Sequence, residues 1–90
     1  MTTLKILLSK QYRLDMRRMK QRGKSLQNAK KVIGLLRSGK PLPAKYKDHD
    51  LRGEWSGYRE CHIDNDWLLI YRIVDDYLLI ERTGTHSDLF

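Results

Sequence analysis

The sequence predicts an α+β fold in which two N-terminal helices pack on a twisted antiparallel sheet. Up to about residue 39, apolar residues recur at the three- and four-residue spacing of a helix face. From residue 51 onward they form runs with the period of strands, separated by short polar turns. Ninety residues suit one small domain, so residues 1–90 are expected to fold as a single unit in the order β-α-α-β-β-β-β.

The first helix is predicted over residues 10–22. Ser9 suits its N-cap, because a serine hydroxyl can accept a backbone N–H of the first turn. Gly23 can adopt the left-handed conformation that ends a helix. One stripe of this helix is apolar, and it consists of Tyr12, Met16 and Met19.

The second helix is expected to begin after Ser25 and to end at Gly39. Its apolar residues again fall on one face: Leu26, Ala29, Val32, Ile33 and Leu36. A short turn between the helices predicts an antiparallel hairpin, and two apolar stripes need a sheet to cover.

Strands account for most of the remaining chain. A mainly apolar run at residues 5–8 predicts the first strand. Pro41 and Pro43 enforce an extended segment, and residues 44–50 have no periodicity, so His49 is expected on a loop. Four further strands are predicted, at residues 51–55, 58–63, 67–74 and 77–83. The last three have connections too short for crossovers and should form an antiparallel meander.

The register of the meander decides which side chains face the helices. If residues 75–76 form a two-residue loop and His62 lies opposite Trp67, the side chains sort onto two faces by alternation. The face predicted to pack beneath the helices holds Cys61, Ile63, Leu68, Ile70, Tyr77 and Leu79. The opposite, amphipathic face holds Tyr58, Glu60, His62, Trp67, Tyr71 and Arg82.

Charge is divided unequally along the chain. Residues 1–47 contain 14 of the 18 Lys and Arg residues and one acid, Asp15, a formal charge of +13. Residues 48–90 contain four basic and ten acidic residues, a charge of −6. The basic half predicts a polyanionic partner such as a phosphate backbone, although a solvated helix surface would look similar. A DNA-reading helix-turn-helix is disfavoured, since the second helix needs its apolar stripe buried.

Membrane and secreted classes are not expected. The sequence has no apolar run of the roughly 18 residues that a span needs, and no basic-then-apolar leader. Cys61 is the only cysteine, which excludes an internal disulfide and fits a reducing cytosol. A cytoplasmic location is therefore expected.

All three histidines lie in the acidic half. His49, His62 and His86 are joined there by Asp66, which stands at the same predicted turn as His62. At neutral pH one imidazole can accept a proton while another, stabilised by a carboxylate, donates one. This chemistry suits RNA cleavage without a cofactor, in which the 2′-hydroxyl attacks the adjacent phosphorus and a cation such as Arg82 stabilises the phosphoryl oxygens.

A metal site is the competing interpretation of the same four residues. Three imidazoles and a carboxylate are possible zinc ligands. Their spacings of 13 and 24 residues match no compact ligand motif, and no cysteine pair accompanies them. We therefore expect no metal and no cofactor.

The C-terminal residues are expected to form a docked tail. Terminal residues usually fray unless something holds them. This chain ends in two large apolar side chains, Leu89 and Phe90, which would be unusual on a disordered end. Docking of the tail would present His86 to the rest of the chain.

Several segments together resemble the YafQ toxins of the RelE/ParE superfamily. They are the residues 41–49 (PLPAKYKDH), 51–62 (LRGEWSGYRECH), 66–71 (DWLLIY) and 81–90 (ERTGTHSDLF). The resemblance implies a RelE-like fold and a toxin of a type II toxin-antitoxin pair. It also implies a ribosome-dependent endoribonuclease that cleaves mRNA in the ribosomal A site. The alternative is a non-catalytic ParE-like toxin that inhibits a topoisomerase, which has no need of three histidines and an aspartate.

Site residues and partners follow from the same resemblance. It implies His49 as general base, His86 as general acid and Asp66 as the residue that orients a histidine. His62 and Arg82 would contact phosphate, and Trp67 and Phe90 would position a nucleotide. The implied partners are mRNA, the ribosome with its ribosomal RNA, and an acidic cognate antitoxin that often carries a DNA-binding domain.

Overall fold

A computed structural model describes residues 3–90, and its elements follow the predicted order. The strands are Lys5–Leu8 (β1), His49–Asp50 (β2), Arg59–Asp64 (β3), Trp67–Val74 (β4) and Tyr77–Gly84 (β5). The helices are Lys10–Gln21 (α1), Leu26–Arg37 (α2) and a short C-terminal helix, His86–Leu89 (α3). The α+β prediction is confirmed.

The sheet has the strand order β1-β5-β4-β3-β2. The meander β3-β4-β5 is antiparallel as predicted, and β2 also pairs antiparallel with β3. In contrast, β1 pairs parallel with β5, so the sheet is mixed. A parallel pair requires a long connection between its strands, and here both helices and the rest of the sheet supply it.

Helix α1 packs on the sheet through the predicted stripe. Tyr12, Met16 and Met19 are all buried. Ser9 caps the helix: its Oγ accepts the backbone N–H of Tyr12 at 2.9 Å and donates to the carbonyl of Glu81 at 2.6 Å. The cap therefore fixes the start of α1 against β5.

Helix α2 is held by only part of its predicted face. Ala29, Val32 and Leu36 are buried, whereas Leu26 in the first turn remains 38% exposed. Ser25 occupies the N-cap position without a side-chain hydrogen bond. The beginning of α2 thus leaves apolar surface uncovered.

The predicted register of β3 against β4 is wrong by one residue. His62 pairs with Leu68 instead of Trp67, because a bulge between His62 and Asp64 adds a residue to β3. A shift of one residue exchanges the faces of a strand. The side chains of β4 that pack beneath the helices are consequently Trp67, Leu69 and Tyr71.

The prediction for the other strands is partly confirmed. Cys61 and Ile63 are buried beneath the helices as expected. On β5 the helix-facing residues are Leu78 and Ile80, not Tyr77 and Leu79. On the opposite face of the sheet a second, smaller core contains Leu68, Ile70 and Leu89, with Leu51, Trp55 and Tyr58 packed against it.

The segment before β3 also differs from the prediction. His49 lies on β2 and not on a loop, because it pairs with Glu60 of β3. Residues 51–55 do not form a strand: Gly53, with φ of +69°, begins a 3₁₀ turn that ends at Trp55. Within residues 3–90, no helix has the length and apolarity needed to cross a membrane.

Candidate active site

The structure brings all four predicted histidine and aspartate residues together. His49 lies on β2, His62 on β3, Asp66 in the β3–β4 turn and His86 at the first position of α3. The His62 and His86 rings are 6.1 Å apart between centroids. His49 and His62 are linked through a shared neighbour, the carboxylate of Glu60. The four residues therefore form one continuous cluster.

His86 is oriented by Asp66. Asp66 Oδ1 lies 3.0 Å from the backbone nitrogen of His86 and 2.7 Å from its Nδ1. Both hydrogen bonds lower the pKa of Asp66, and the one from the backbone N–H has the larger effect. Asp66 is therefore an ionised acceptor at neutral pH. Since a carboxylate only accepts, Nδ1 of His86 carries a proton. Its Nε2 has no hydrogen-bond partner among residues 3–90, so this nitrogen can exchange a proton with a substrate.

Glu60 is a member of the cluster that the sequence prediction did not include. Its side chain is only 5% exposed, and its Oε1 lies 3.3 Å from Nε2 of His49 and 3.8 Å from Nε2 of His62. Glu60 and His62 are two residues apart on β3 and so share a face. The two-residue spacing of Glu60 and His62 already predicts that the two side chains are neighbours, so the sequence contained a signal for including Glu60 in the site.

The contacts of His49 restrict where its protons lie. Its Nδ1 is 2.8 Å from the carbonyl oxygen of Lys47, so Nδ1 donates that hydrogen bond. Its Nε2 faces the Glu60 carboxyl group across the paired strands β2 and β3. The His49 ring is therefore held at both of its nitrogen atoms.

His62 is the most enclosed of the three histidines, with 22% of its side chain exposed. Desolvation lowers its pKa below the ordinary 6.5, and the charges of Lys47, His86 and His49 act in the same direction, while Glu60 opposes them. His62 is therefore neutral at pH 7. A neutral imidazole can accept a proton, which suits a general base.

The predicted docking of the tail is present in the structure. Leu89 is buried in the smaller core. Arg22, the C-cap residue of α1, donates two hydrogen bonds to the Asp88 carboxylate, at 2.6 and 3.1 Å. Thr85 and Asp88 form a reciprocal capping box at the start of α3. These contacts lower the pKa of Asp88 well below its ordinary range, the Arg22 hydrogen bond most. The tail holds His86 in place.

A close contact at Gly84 makes the tail sensitive to a single methyl group. A Cβ added at Gly84 would lie 2.9 Å from both Cβ and Oδ2 of Asp88, too close for the present geometry. We expect Gly84→Ala to displace α3 and its histidine. Because a misplacement of about 1 Å can cost roughly 10²-fold in rate, the rate of any reaction that depends on His86 should fall by about that factor.

Gly34→Ala is the matched control for this substitution. A Cβ at Gly34, on the exposed side of α2, would meet nothing within 4 Å. Rates are compared for the two variants, together with circular dichroism melting. Equal activity of Gly84→Ala and Gly34→Ala would show that the tail tolerates displacement.

Arg82 is held by a residue that the prediction did not associate with the site. Its Nε and Nη2 donate to Oδ2 and Oδ1 of Asp15 at 2.7 and 3.2 Å. The Asp15 side chain is fully buried and also accepts the backbone N–H of Thr83 at 3.2 Å. Arg82 thus joins α1 to β5. A phosphate contact through its remaining N–H groups stays a prediction.

The two aromatic residues of the predicted site are placed very differently. Trp67 is fully buried, and its Nε1 donates to Thr83 Oγ1 at 2.9 Å. The expectation that Trp67 positions a nucleotide is therefore wrong, because the register shift turns it into the main core. Phe90 is 60% exposed, with its ring centroid 6.4 Å from that of His86. Its position is compatible with a nucleotide contact, which remains a prediction.

Comparisons with known families, proteins and structures all identify the same relatives. Residues 4–90 match the YafQ family, described as bacterial toxins of type II toxin-antitoxin systems. The mRNA interferase toxin YafQ of Escherichia coli strain K12 is 47% identical over 83 residues, covering 91% of this chain and 90% of that protein. The toxin in the crystal structure of the E. coli DinJ-YafQ toxin-antitoxin complex is 45% identical, with a TM-score of 0.90 and coverage of 98% of both chains.

A third relative raises the question of metals. A metal-bound toxin from Helicobacter pylori is 40% identical, with a TM-score of 0.90 and coverage of 97% of this chain and 99% of that one. In the part of the present chain that the structure describes, no three His, Cys, Asp or Glu side chains are placed to share a metal ion.

Proposed function

This chain belongs to the YafQ family of type II toxin-antitoxin toxins, and on that basis we propose that it is an mRNA interferase that cleaves mRNA in the ribosomal A site by acid and base catalysis. The observation that carries the proposal is the pair of histidines, neutral His62 and carboxylate-bound His86, with ring centroids 6.1 Å apart. A phosphodiester between them can lose a proton to one ring and gain one from the other.

In the proposed reaction His62 accepts the proton of the 2′-hydroxyl. The 2′-oxygen then forms a bond to the adjacent phosphorus as the bond to the 5′-oxygen breaks. His86 gives the leaving 5′-oxygen a proton from Nε2, while the Asp66 carboxylate stabilises the protonated ring. The products are a 2′,3′-cyclic phosphate and a 5′-hydroxyl. No metal or external nucleophile enters this step.

His49 has a different role in this proposal from the one implied by the resemblance. Its Nδ1 proton is fixed by Lys47, and its Nε2 faces the buried Glu60. Since both ring nitrogens already face protein groups, His49 is less suited than His62 to accept the 2′-hydroxyl proton. The general base is then His62.

Dependence on the ribosome is supported by charge and by the shape of the site. His49 and His86 are about half exposed, so the cluster lies at the surface and does not enclose a flexible RNA strand. Positioning a mobile substrate removes a large part of a reaction barrier. The ribosome can supply that positioning, and the +13 charge of residues 1–47 provides attraction to ribosomal RNA.

Cleavage of ribosome-bound mRNA tests the proposal. The protein is first dialysed against a strong chelator and then assayed with Mg²⁺ as the only divalent ion, which ribosomes require. We expect cuts in the A site that leave 2′,3′-cyclic phosphate and 5′-hydroxyl ends. A single 2′-deoxy nucleotide 5′ to the scissile phosphate should block them, and free mRNA should remain intact. Ends with a 5′-phosphate, or cleavage of the deoxy substrate, would contradict the mechanism.

An acidic antitoxin is the second partner that we propose. A groove of about 720 Å³ lies between β1, α1 and α2. Its apolar floor includes Ile6, Leu8 and Leu26, each more than a third exposed. Its cationic rim consists of Arg13, Arg17, Lys20 and Lys30. An amphipathic segment with one apolar and one acidic face matches both features.

Leu26 gives a direct test of this groove. Leu26→Glu removes apolar contact and places a negative charge against an acidic partner, so binding of the cognate antitoxin should weaken by about tenfold or more. Leu14→Glu is the control, since Leu14 is 46% exposed on α1 but lies outside the groove. Calorimetric titration of both variants measures the difference. Equal affinities would exclude the groove as the antitoxin site, and mRNA cleavage should be retained by both proteins.

A further inference from the structure

A polar cleft adjoins the histidine cluster and has none of its lining residues in common with the antitoxin groove. It has a volume of about 320 Å³ and shares His62 with the cluster as part of its wall. Lys31 of α2, and Lys45 and Lys47 of the segment before β2, line it together with Asn28 and Asp64. We call this the lysine cleft. The reaction proposed above makes no use of its lysines.

The lysine cleft carries net positive charge. Among its lining residues in the described chain are three lysines and one acid, Asp64. None of the three lysines lies within 4.0 Å of a carboxylate in residues 3–90, whereas Arg22, Arg59 and Arg82 all do. Lysines without a carboxylate partner that line one concave surface raise the local concentration of anions.

Two of the lysines are positioned by specific structure. Lys47 adopts the left-handed conformation, with φ of +49°, which is uncommon for a residue with a side chain. Its N–H donates to the carbonyl of Ala44, and its own carbonyl accepts the hydrogen bond from His49. The Lys45 ammonium lies 5.1 Å from the centroid of the buried Tyr46 ring. The cleft is therefore a built feature of this segment.

We propose that the lysine cleft binds the sugar-phosphate backbone of the substrate RNA at the nucleotide next to the scissile phosphate. The inference rests on the proposed function and names the subsite that holds the strand. Its volume is at the lower end of the range for small-ligand sites. Two rings of the described chain lie in its wall: Tyr46 is buried, and His62 is assigned to proton transfer in the proposed reaction. The lysines of the cleft can therefore recognise the charge of the backbone but not the identity of a base.

The test removes charge from the two lysines that are not adjacent to a catalytic histidine. The double variant Lys31→Gln/Lys45→Gln is compared with Lys10→Gln/Lys40→Gln, which loses the same charge at exposed positions outside the cleft. Cleavage of ribosome-bound mRNA is measured in single turnover. The cleft variant should need about tenfold more protein for half-maximal rate. The slope of log affinity against log salt concentration should fall by about 0.7, the value for one single-strand phosphate contact.

A modified substrate identifies which phosphate is bound. Two substrates are made, each with one neutral methylphosphonate linkage. The linkage lies 5′ to the scissile phosphate in one substrate and 3′ to it in the other. With one of these substrates, wild type and the Lys10/Lys40 control should each need about tenfold more protein for half-maximal rate. The Lys31/Lys45 variant should need the same concentration as it does with unmodified mRNA. Additive losses with both substrates would overturn the proposal.

Three further outcomes are distinct. If wild type cleaves nothing, the proposed function itself fails. If wild type cleaves but the Lys31/Lys45 variant keeps its half-maximal concentration and salt slope, only the cleft proposal fails. In the third outcome the Lys31/Lys45 variant binds more weakly to ribosomes that carry no mRNA, or to the antitoxin, and the methylphosphonate effects stay additive. The cleft then binds that other partner, and the proposal is again overturned.

Discussion

His86→Ala should lower the rate of mRNA cleavage by about 10²- to 10⁴-fold, the usual contribution of one proton-transferring group. The side chain is 59% exposed, so its loss removes little packing, and the melting temperature should stay close to that of wild type. The measurement is single-turnover cleavage of ribosome-bound mRNA, with 5′ ends mapped in cells that express either protein. Growth arrest by His86→Ala equal to that by wild type would contradict the assignment.

Asp66→Asn separates orientation from proton transfer. Asparagine can still accept a hydrogen bond but cannot stabilise a protonated ring, so the variant should be slower than wild type and faster than His86→Ala. Asp75→Asn is the control, because Asp75 is exposed in the β4–β5 turn, makes no hydrogen bond or ion pair with His86 and does not line the lysine cleft. Comparable losses from Asp75→Asn would mean that the loss of one negative charge, and not the His86 contact, matters.

The pH dependence of cleavage tests the choice of His62 as base. A base works in its neutral form, which is lost as the pH falls through its pKa. Desolvation lowers the pKa of His62, so the acidic limb of the rate profile should have its midpoint below 6.5. A midpoint above 6.5 would exclude His62 as the group that titrates there.

The sequence was sufficient for the order of elements because periodicity changes clearly along the chain. It was insufficient for the register of β4, because the extra residue between His62 and Asp64 forms a bulge that alternation alone does not reveal. The predicted register put Trp67 on the same face as His62, in agreement with the nucleotide contact that the resemblance implies, whereas the structure buries Trp67 in the core. The histidines were identified correctly as neighbours. The β3–β4 turn and the docked tail bring His62 and His86 together, and the pairing of β2 with β3 adds His49.

The position of Asp15 in the sequence indicates a buried ion pair that was not predicted. It is the only acid in residues 1–47, and it falls at the i+3 position of the stripe that begins at Tyr12. A carboxylate on a buried stripe requires a partner. What the sequence could not supply was the identity of that partner, Arg82, which is 67 residues away on β5.

Arg82→Ala should therefore destabilise the protein strongly. It leaves the carboxylate of Asp15, which is fully buried, without its cation, and breaking such a pair typically costs about 3–5 kcal/mol. We expect the lower end, since Arg82 itself is 21% exposed. For a domain of this size about 3 kcal/mol corresponds to a fall of roughly 12 °C or more in melting temperature. Thermal and urea unfolding measure it, and a change below about 1 kcal/mol would contradict a structural role.

A double variant distinguishes the structural role of Arg82 from the phosphate contact that the resemblance implies. Asp15→Asn/Arg82→Gln keeps neutral hydrogen bonds at both positions and leaves no buried charge, so it should be more stable than Arg82→Ala. Its cleavage rate is then decisive. If Arg82 only joins α1 to β5, restored stability should restore cleavage. If its remaining N–H groups also contact the reacting phosphate, the folded double variant should remain slow, because glutamine carries no charge to stabilise the phosphoryl oxygens.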